Sequence, residues 1–148
     1  MTTTILYADD DPEDRMLTEE AFEEAFAQKS NLSIQLQFVE DGEELMSYLQ
    51  NNGKYNDNSK YPTPDLILLD LNMPKKDGRE CLKEIKNNDH LKKIPVVVLT
   101  TSNDEEDVIK TYNLGVSSFI TKPVTFESMV EVVESLNKYW FQVVRLPH

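Results

Sequence analysis

The chain has 148 residues, a net charge of −12 from 27 acidic and 15 basic side chains, and a hydrophobic fraction of 39%, which suits one domain with its own core. The acidic surface excludes nucleic acid as a partner, because it would repel a phosphate backbone, and no apolar run approaches the roughly 20 residues that cross a membrane. The one cysteine, Cys81, excludes an internal disulfide, and the N-terminus lacks the pattern of a secretory signal, so we expect a cytoplasmic protein with no membrane partner.

The first half of the chain alternates short apolar runs, which predict buried strands, with apolar residues at helical spacing. The predicted elements are a strand at 5–8, a helix at 13–28, a strand at 34–39, a helix at 43–51, a loop at 53–64 and a strand at 65–70. Asp11 is expected to cap the first helix, with Pro12 at its first position. Met16 and Leu17 are among the residues assigned to the apolar face of that helix.

In the second half, a turn at 73–78 leads into a helix that ends near Asn87. A strand at 94–100, a helix at 103–114, a strand at 117–121 and a helix at 126–139 follow. We expect the acidic run at 104–107 to be a solvated first helical turn, which the helix dipole favours. Five strands alternating with five helices predict an α/β fold, a doubly wound parallel sheet with helices on both faces.

Chemically useful side chains stand at the ends of the predicted strands. They are Asp9 and Asp10 after the first, Asp70 at the end of the third, Thr100 at the end of the fourth and Lys122 after the fifth. In open α/β sheets the functional crevice lies beyond the carboxyl ends of the strands. The sequence therefore predicts that these five residues line one crevice.

Three carboxylates gathered in one crevice need a cation, because two unit charges about 4 Å apart repel by roughly 4 kcal/mol at an effective dielectric constant of 20. Oxygen ligands favour Mg²⁺, whereas the cysteine and the two histidines lack the spacing of a zinc site. The carboxylate of Asp70 is then a candidate nucleophile toward phosphorus. Lys122 would supply a positive charge and Thr100 a hydrogen bond, as phosphoryl transfer requires.

Four segments of the chain resemble the receiver family of response regulators, from about Thr4 to about Lys138. They are the acidic cluster at 6–11, the stretch 68–74 with Asp77 and Gly78, the stretch 98–101 and the stretch 119–123. The resemblance implies a flavodoxin-like fold with strand order 2-1-3-4-5. It also implies a receiver domain at 4–138, a C-terminal extension at 139–148 and no effector domain.

The function implied by the resemblance is that of a single-domain response regulator in a two-component phosphorelay. Such a protein accepts a phosphoryl group from a sensor histidine kinase on Asp70 in a Mg²⁺-dependent reaction and then switches its protein-binding face toward a downstream protein. It is not an enzyme, beyond self-phosphorylation and self-dephosphorylation. As implied metal ligands, Asp10 and Asp70 bind directly, Asp9 binds through a water molecule, and Asn72 contributes its backbone carbonyl.

The resemblance also assigns roles near the last two strands. Lys122 would pair with the phosphoryl group, and its bond to Pro123 is expected to be cis. Thr100 and Phe119 match the switch pair of the family. On phosphorylation the hydroxyl moves toward the phosphate and the ring turns inward, which reshapes the face formed by the fourth helix and fifth strand.

Residues 75–80, 93–102 and 140–147 resemble a narrower group, the stand-alone response regulators of cyanobacterial phytochromes. A phytochrome is therefore one candidate for the kinase, although the Lys122–Pro123 pair departs from the most similar members. The apolar tail from Trp140 fits packing against the domain itself, and it equally fits a homodimer contact. A homodimer through the fourth helix, fifth strand and last helix is the other arrangement that we expect.

Two other functions use a similar fold or chemistry. A small metal-dependent aspartyl-phosphate phosphatase would carry an acid/base aspartate two residues after the nucleophile, but that position is Asn72, which cannot shuttle protons. A flavodoxin-like cofactor binder would need a phosphate-cradling loop after the first strand. The Asp9-Asp10-Asp11 run would repel a phosphate there, and the chain has no glycine-rich motif. The sequence favours the switch over both.

Overall fold

Five parallel strands form one sheet in the computed structural model, which describes residues 2–27, 33–101 and 104–138. The strands are β1 (Thr2–Ala8), β2 (Ser33–Val39), β3 (Leu66–Leu69), β4 (Val96–Thr100) and β5 (Ser118–Thr121). Their order across the sheet is β2-β1-β3-β4-β5, and every pair is parallel. The predicted doubly wound α/β fold and its strand order are confirmed.

Five helices follow the strands in alternation. They are α1 (Pro12–Phe26), α2 (Gly42–Leu49), α3 (Gly78–Lys86), α4 (Glu105–Asn113) and α5 (Phe126–Leu136). Each begins after a residue whose side chain accepts a hydrogen bond from a backbone N–H of the first turn: Asp11, Asp41, Asp77, Asp104 and Thr125. The predicted cap at Asp11 and the position of Pro12 are confirmed. None of these helices is long and apolar enough to span a membrane.

The sheet separates two hydrophobic layers, because successive side chains of a strand point to opposite faces. Ile5 and Leu68 belong to the layer that contains Phe22 of α1 and Met129 of α5. Leu6 and Ile67 belong to the other layer, together with residues of α2 and α3. The side chains of β3 and β4 are buried along their whole length, as expected of parallel strands covered on both faces.

Two details of the first half differ from the sequence-based prediction. β1 begins at Thr2, because its polar start pairs with Ser33 and the following residues of the edge strand β2. Met16 is 64% exposed, since α1 buries the side that carries Thr18, Ala21 and Phe22. Its assignment to the apolar face was therefore wrong.

The predicted loop at 53–64 contains a short 3₁₀ helix (Gly53–Tyr55). The Tyr55 ring is buried and packs against the rings of Tyr48 and Tyr61, with ring centroids 5.2 and 4.8 Å apart. These aromatic contacts fix a polar segment on the side of α2.

The expected cis bond before Pro123 is a further correction. No peptide bond among the described residues is cis, so the Lys122–Pro123 bond is trans. The trans form is the more stable one before proline by roughly 0.5–1 kcal/mol. Lys122 makes three hydrogen bonds from this backbone, and the reach of its side chain therefore does not depend on a cis bond.

The predicted solvated turn at 104–107 is only partly correct. Asp104 is exposed and caps α4, but Asp107 is buried because its carboxylate is paired with Arg79. The predicted C-terminal extension at 139–148 lies outside the described residues.

Candidate functional site

Asp70 directly follows β3 and is almost completely buried. Its Oδ2 atom accepts a hydrogen bond from Nζ of Lys122 at 2.9 Å. Its Oδ1 atom accepts one from the Thr100 hydroxyl at 2.8 Å and one from the Asn72 backbone N–H at 3.1 Å. Three donors from three different segments therefore fix the orientation of this carboxylate.

Lys122 follows β5 and points its ammonium group into the same crevice. The ammonium nitrogen lies 2.8 Å from Oδ2 of Asp9 and 2.7 Å from Oδ2 of Asp14, in addition to its contact with Asp70. Burial by itself lowers the pKa of Lys122, but the hydrogen bonds that its ammonium donates to Asp14, Asp9 and Asp70 outweigh this effect and raise that pKa above its usual value. The side chain therefore remains a cation in the folded protein.

Asp9 lies at the floor of the crevice and is fully buried. Its Oδ2 atom accepts a hydrogen bond of 2.6 Å from the Tyr7 hydroxyl, and its Oδ1 atom accepts one of 2.9 Å from the Asp11 N–H. Burial raises the pKa of Tyr7, and the charge of Asp9 and its hydrogen bond raise it further. The neutral phenol is therefore a permanent donor to Asp9.

The acidic residues of the crevice have the donor atoms of a metal site. Carboxylate oxygens of Asp9, Asp10 and Asp70 lie within 4.8 Å of one another, and Asp10 is exposed to solvent. Asp9, Asp14 and Asp70 contact the ammonium of Lys122, and Asp10 adds a fourth carboxyl group beside Asp9 and Asp70. An all-oxygen donor set with excess negative charge fits a hard divalent cation.

The structure brings together the five residues that the sequence placed at the strand ends, Asp9, Asp10, Asp70, Thr100 and Lys122. Phe119 packs against the hydrophobic layer that contains Val98. It lies in register with Val98 on β4, whereas Thr100 is in register with Thr121. The Phe119 N–H donates a 3.2 Å hydrogen bond to the hydroxyl of Tyr112 on α4, so the switch role of Phe119 stays a prediction.

Two residues of the site were missed by reasoning from the sequence. Tyr7 stands two positions before Asp9 and therefore points to the same face of β1, a signal that the alternation of a strand provides. Asp14 lies in the first turn of α1, which begins at the edge of the sheet where Asp9 follows β1. Its proximity to Lys122 depends on the placement of α1 against the sheet.

Gly78 brings α3 close to the backbone that carries Asp70. A Cβ atom at this position would lie 2.4 Å from the Asp70 carbonyl oxygen and 2.7 Å from Cα of Leu71. The Gly78 N–H donates a 3.0 Å hydrogen bond to the Leu71 carbonyl. Only a residue without a side chain permits this close approach.

Arg79, the next residue, connects the start of α3 with α4. Its Nε and Nη2 atoms donate to the two carboxylate oxygens of Asp107 at 2.7 and 2.6 Å. Its Nη1 atom donates to Asp77, the cap of α3, at 3.0 Å. This two-pronged geometry is the strongest form of arginine–carboxylate pairing, and it fixes the first turn of α4 beside the crevice.

The sequence profile of the family described as the response regulator receiver domain matches residues 5–134. Among curated proteins, Response regulator Rcp1 from Synechocystis sp. is 44% identical over 143 residues, which cover 97% of this chain and 92% of the relative. The Probable methanogenesis regulatory protein FilR2 from Methanothrix harundinacea is 34% identical over 143 residues, covering 97% of this chain and 86% of the relative.

Solved structures of similar proteins have the same fold. The Mn²⁺-bound form of response regulator Rcp1 superposes with a TM-score of 0.85 at 42% identity, with 99% of each chain covered. The phosphorylated cyanobacterial phytochrome response regulator RcpA superposes with a TM-score of 0.89 at 39% identity, with all of both chains covered.

Proposed function

Because the chain belongs to the response regulator receiver domain family, we propose that Asp70 is its phosphoacceptor and that Mg²⁺ is its metal ion. The chain is a signalling domain, and its function is that of a response regulator in a two-component phosphorelay. The phosphatase alternative is not favoured, since the full-length relatives are response regulators.

The observation that carries this proposal is the set of donors around the Asp70 carboxylate. In the transfer, one carboxylate oxygen forms a bond to phosphorus while the P–N bond of a donor phosphohistidine breaks. The ammonium of Lys122 and the hydroxyl of Thr100 already lie 2.9 and 2.8 Å from the two carboxylate oxygens. Both groups are therefore close to where the phosphoryl oxygens arrive, and hydrogen bonds and charge placed there in advance stabilise the transferred group.

Asp9, Asp10 and Asp70 are the residues that would hold Mg²⁺, with Asp9 acting through water and Asn72 through its backbone carbonyl. The clustered carboxylate oxygens support this assignment, as does the Mn²⁺-bound structure of the relative Rcp1. When bound, the ion supplies positive charge that offsets the charge of the phosphoryl oxygens.

The proposed phosphoryl donor is a sensor histidine kinase, with a phytochrome as the first candidate. Support comes from the similarity to RcpA, described as a cyanobacterial phytochrome response regulator, and to the bacteriophytochrome response regulator RtBRR, which is 36% identical. The acidic composition and the single cysteine agree with a cytoplasmic location.

The output in this proposal is a change in protein binding that Thr100 and Phe119 transmit to α4 and β5. Two large apolar side chains of α4, Ile109 and Tyr112, are 58% and 48% exposed. Such side chains suit a surface that binds a downstream protein or a second copy in a homodimer. The contact of Tyr112 with the Phe119 N–H ties this surface to the strand that carries the switch residue.

Phosphate-affinity gels test the acceptor. We expect acetyl phosphate with Mg²⁺ to give a retarded band in the wild type and in Asp89→Asn, which changes an exposed aspartate. Asp70→Asn and a sample treated with EDTA should give no such band. A retarded band that persists in Asp70→Asn would overturn the assignment.

The donor is tested by incubating the protein with a panel of purified, autophosphorylated histidine kinases from its source organism. Transfer to Asp70 should be fastest from the cognate kinase. If phytochrome kinases transfer more slowly than other members of the panel, the assignment to a light sensor is wrong.

A further inference from the structure

The ammonium of Lys122 has three hydrogen-bond donors, and three carboxylates occupy them. Asp9 and Asp70 belong to the proposed metal and phosphoryl site, whereas Asp14 of α1 has no part in the proposed function. Yet Asp14 makes the shortest of the three contacts, at 2.7 Å. We propose that Asp14 is a positioning residue that competes with the phosphoryl group for Lys122 and so limits how tightly the site holds that group.

This inference rests on the proposed function, in which Lys122 pairs with a phosphoryl group on Asp70. The ammonium has no donor to spare, so a new contact with the phosphoryl group requires that one existing contact is released. Asp9 is fully buried, so water could not take the place of the ammonium there if Lys122 moved away. The side chain of Asp14 is 26% exposed, so water can replace the ammonium there. Asp14 is therefore the partner that gives up Lys122.

Charge acts in the same direction as this competition. The phosphoryl group is anionic, and the carboxylate of Asp14 adds negative charge 2.7 Å from the ammonium that must bind it. Removing the charge at position 14 makes Lys122 available to the anion. It also lowers the electrostatic repulsion between position 14 and the phosphoryl group. The same change removes negative charge near Asp9, Asp10 and Asp70, and it should weaken the binding of a cation.

The experiment measures two equilibrium affinities of the full chain by isothermal titration calorimetry. The first is for beryllofluoride, a mimic of the phosphoryl group, in the presence of Mg²⁺, and the second is for Mg²⁺ alone. The variants are Asp14→Asn, Asp14→Ser and the charge-conserving Asp14→Glu. Glu24→Gln serves as the control, because it removes an exposed charge from the same helix.

We expect Asp14→Asn and Asp14→Ser to bind beryllofluoride about tenfold more tightly than the wild type. The same variants should bind Mg²⁺ severalfold more weakly. The two affinities change in opposite directions because the loss of one negative charge favours an anion and disfavours a cation. Asp14→Glu and Glu24→Gln should match the wild type. If the two neutral variants bind beryllofluoride equally or more weakly, Asp14 merely supports Lys122 and the inference is wrong. If the wild type binds no beryllofluoride with Mg²⁺ present, the proposed function itself fails, and the inference fails with it.

Discussion

The ammonium nitrogen of Lys122 lies 2.9 Å from Oδ2 of Asp70, although 52 residues separate the two along the chain. Asp9 and Asp14 contact the same ammonium, so one cation joins β1, α1 and β3 to the segment after β5. The side chain of Lys122 is only 6% exposed. Lys122 is therefore the cation that Asp9, Asp14 and Asp70 share.

Replacing Lys122 with methionine should destabilise the protein by about 3–5 kcal/mol at pH 7 without divalent ions, because loss of one partner leaves buried carboxylates unpaired. Added Mg²⁺ should restore more stability to this variant than to the wild type, since the carboxylates are then without their cation. Urea unfolding with and without Mg²⁺ measures both effects. Lys110→Met, which changes an exposed lysine, is the control, and equal unfolding curves for the Lys122 variant and the wild type would contradict the prediction.

Gly78→Ala should lower the free energy of unfolding and slow the reaction with acetyl phosphate. Forcing a methyl group against the Asp70 and Leu71 backbone costs about 1–3 kcal/mol, which exceeds the gain of up to about 1 kcal/mol that alanine brings to a helix. Urea unfolding and phosphate-affinity gels provide the two measurements. Glu80→Ala, an exposed change in the same helix, should leave both properties unaltered, and an unaffected Gly78→Ala would mean that α3 moves away without cost.

A double-mutant cycle on Arg79 and Asp107 should give a coupling energy of about 1–2 kcal/mol, because the contact is two-pronged and the carboxylate is mostly buried. The four free energies come from urea unfolding of the wild type, Arg79→Ala, Asp107→Ala and the double variant. The exposed pair of Asp89 and Lys92 provides a matched cycle, for which we expect about 0–0.5 kcal/mol. Equal coupling in the two cycles would show that Arg79 does not fix α4.

Tyr48→Phe tests a pH dependence that is remote from the acidic crevice. Burial raises the pKa of Tyr48 to about 12, while a tyrosine in the unfolded chain titrates near 10. Between these values the unfolded chain releases a proton that the folded protein retains, so the wild type loses stability as the pH rises. The variant lacks this loss, and the difference in the free energy of unfolding between the two proteins should change by roughly 1–2 kcal/mol across that window, once solvent screening of the phenol is allowed for.

At pH 7, where the phenol is neutral in both states, Tyr48→Phe should cost about 1 kcal/mol, because the hydroxyl no longer donates to the Pro62 carbonyl. Urea unfolding at pH 7, 10 and 11.5 separates the two effects. Parallel pH profiles for variant and wild type would contradict the assigned pKa.

The strands and helices could be predicted from the sequence because their apolar spacing is regular and each helix begins at a capping side chain. The site could be predicted because Asp70 and Thr100 stand at the ends of predicted strands, and a parallel sheet brings those ends to one edge. The burial of Asp107 and the exposure of Met16 could not be predicted, because both depend on which side of a helix packs against its neighbour. The apolar pattern of a helix does not specify the rotation of the helix about its own axis to within one residue.

The contacts of Tyr7 and Asp14 differ in how much of the fold they require. Tyr7 needs only the alternation of β1, but Asp14 meets Lys122 across 108 residues after α1 has packed beside the sheet. The trans Lys122–Pro123 bond differs from the expectation drawn from the family, and the three hydrogen bonds of Lys122 are made with this bond.

The contacts of Lys122 with Asp9, Asp14 and Asp70 also bear on the synthesis of the protein, because they span 113, 108 and 52 residues. Contacts between such distant positions close only after long stretches of chain have been ordered. A nascent polypeptide that already exposes Asp70 still lacks the ammonium group that completes the crevice. Under the proposed function, Asp70 becomes reactive toward phosphorus only when β5 has joined the sheet. An unfinished chain on the ribosome would therefore not accept phosphoryl groups from the kinase.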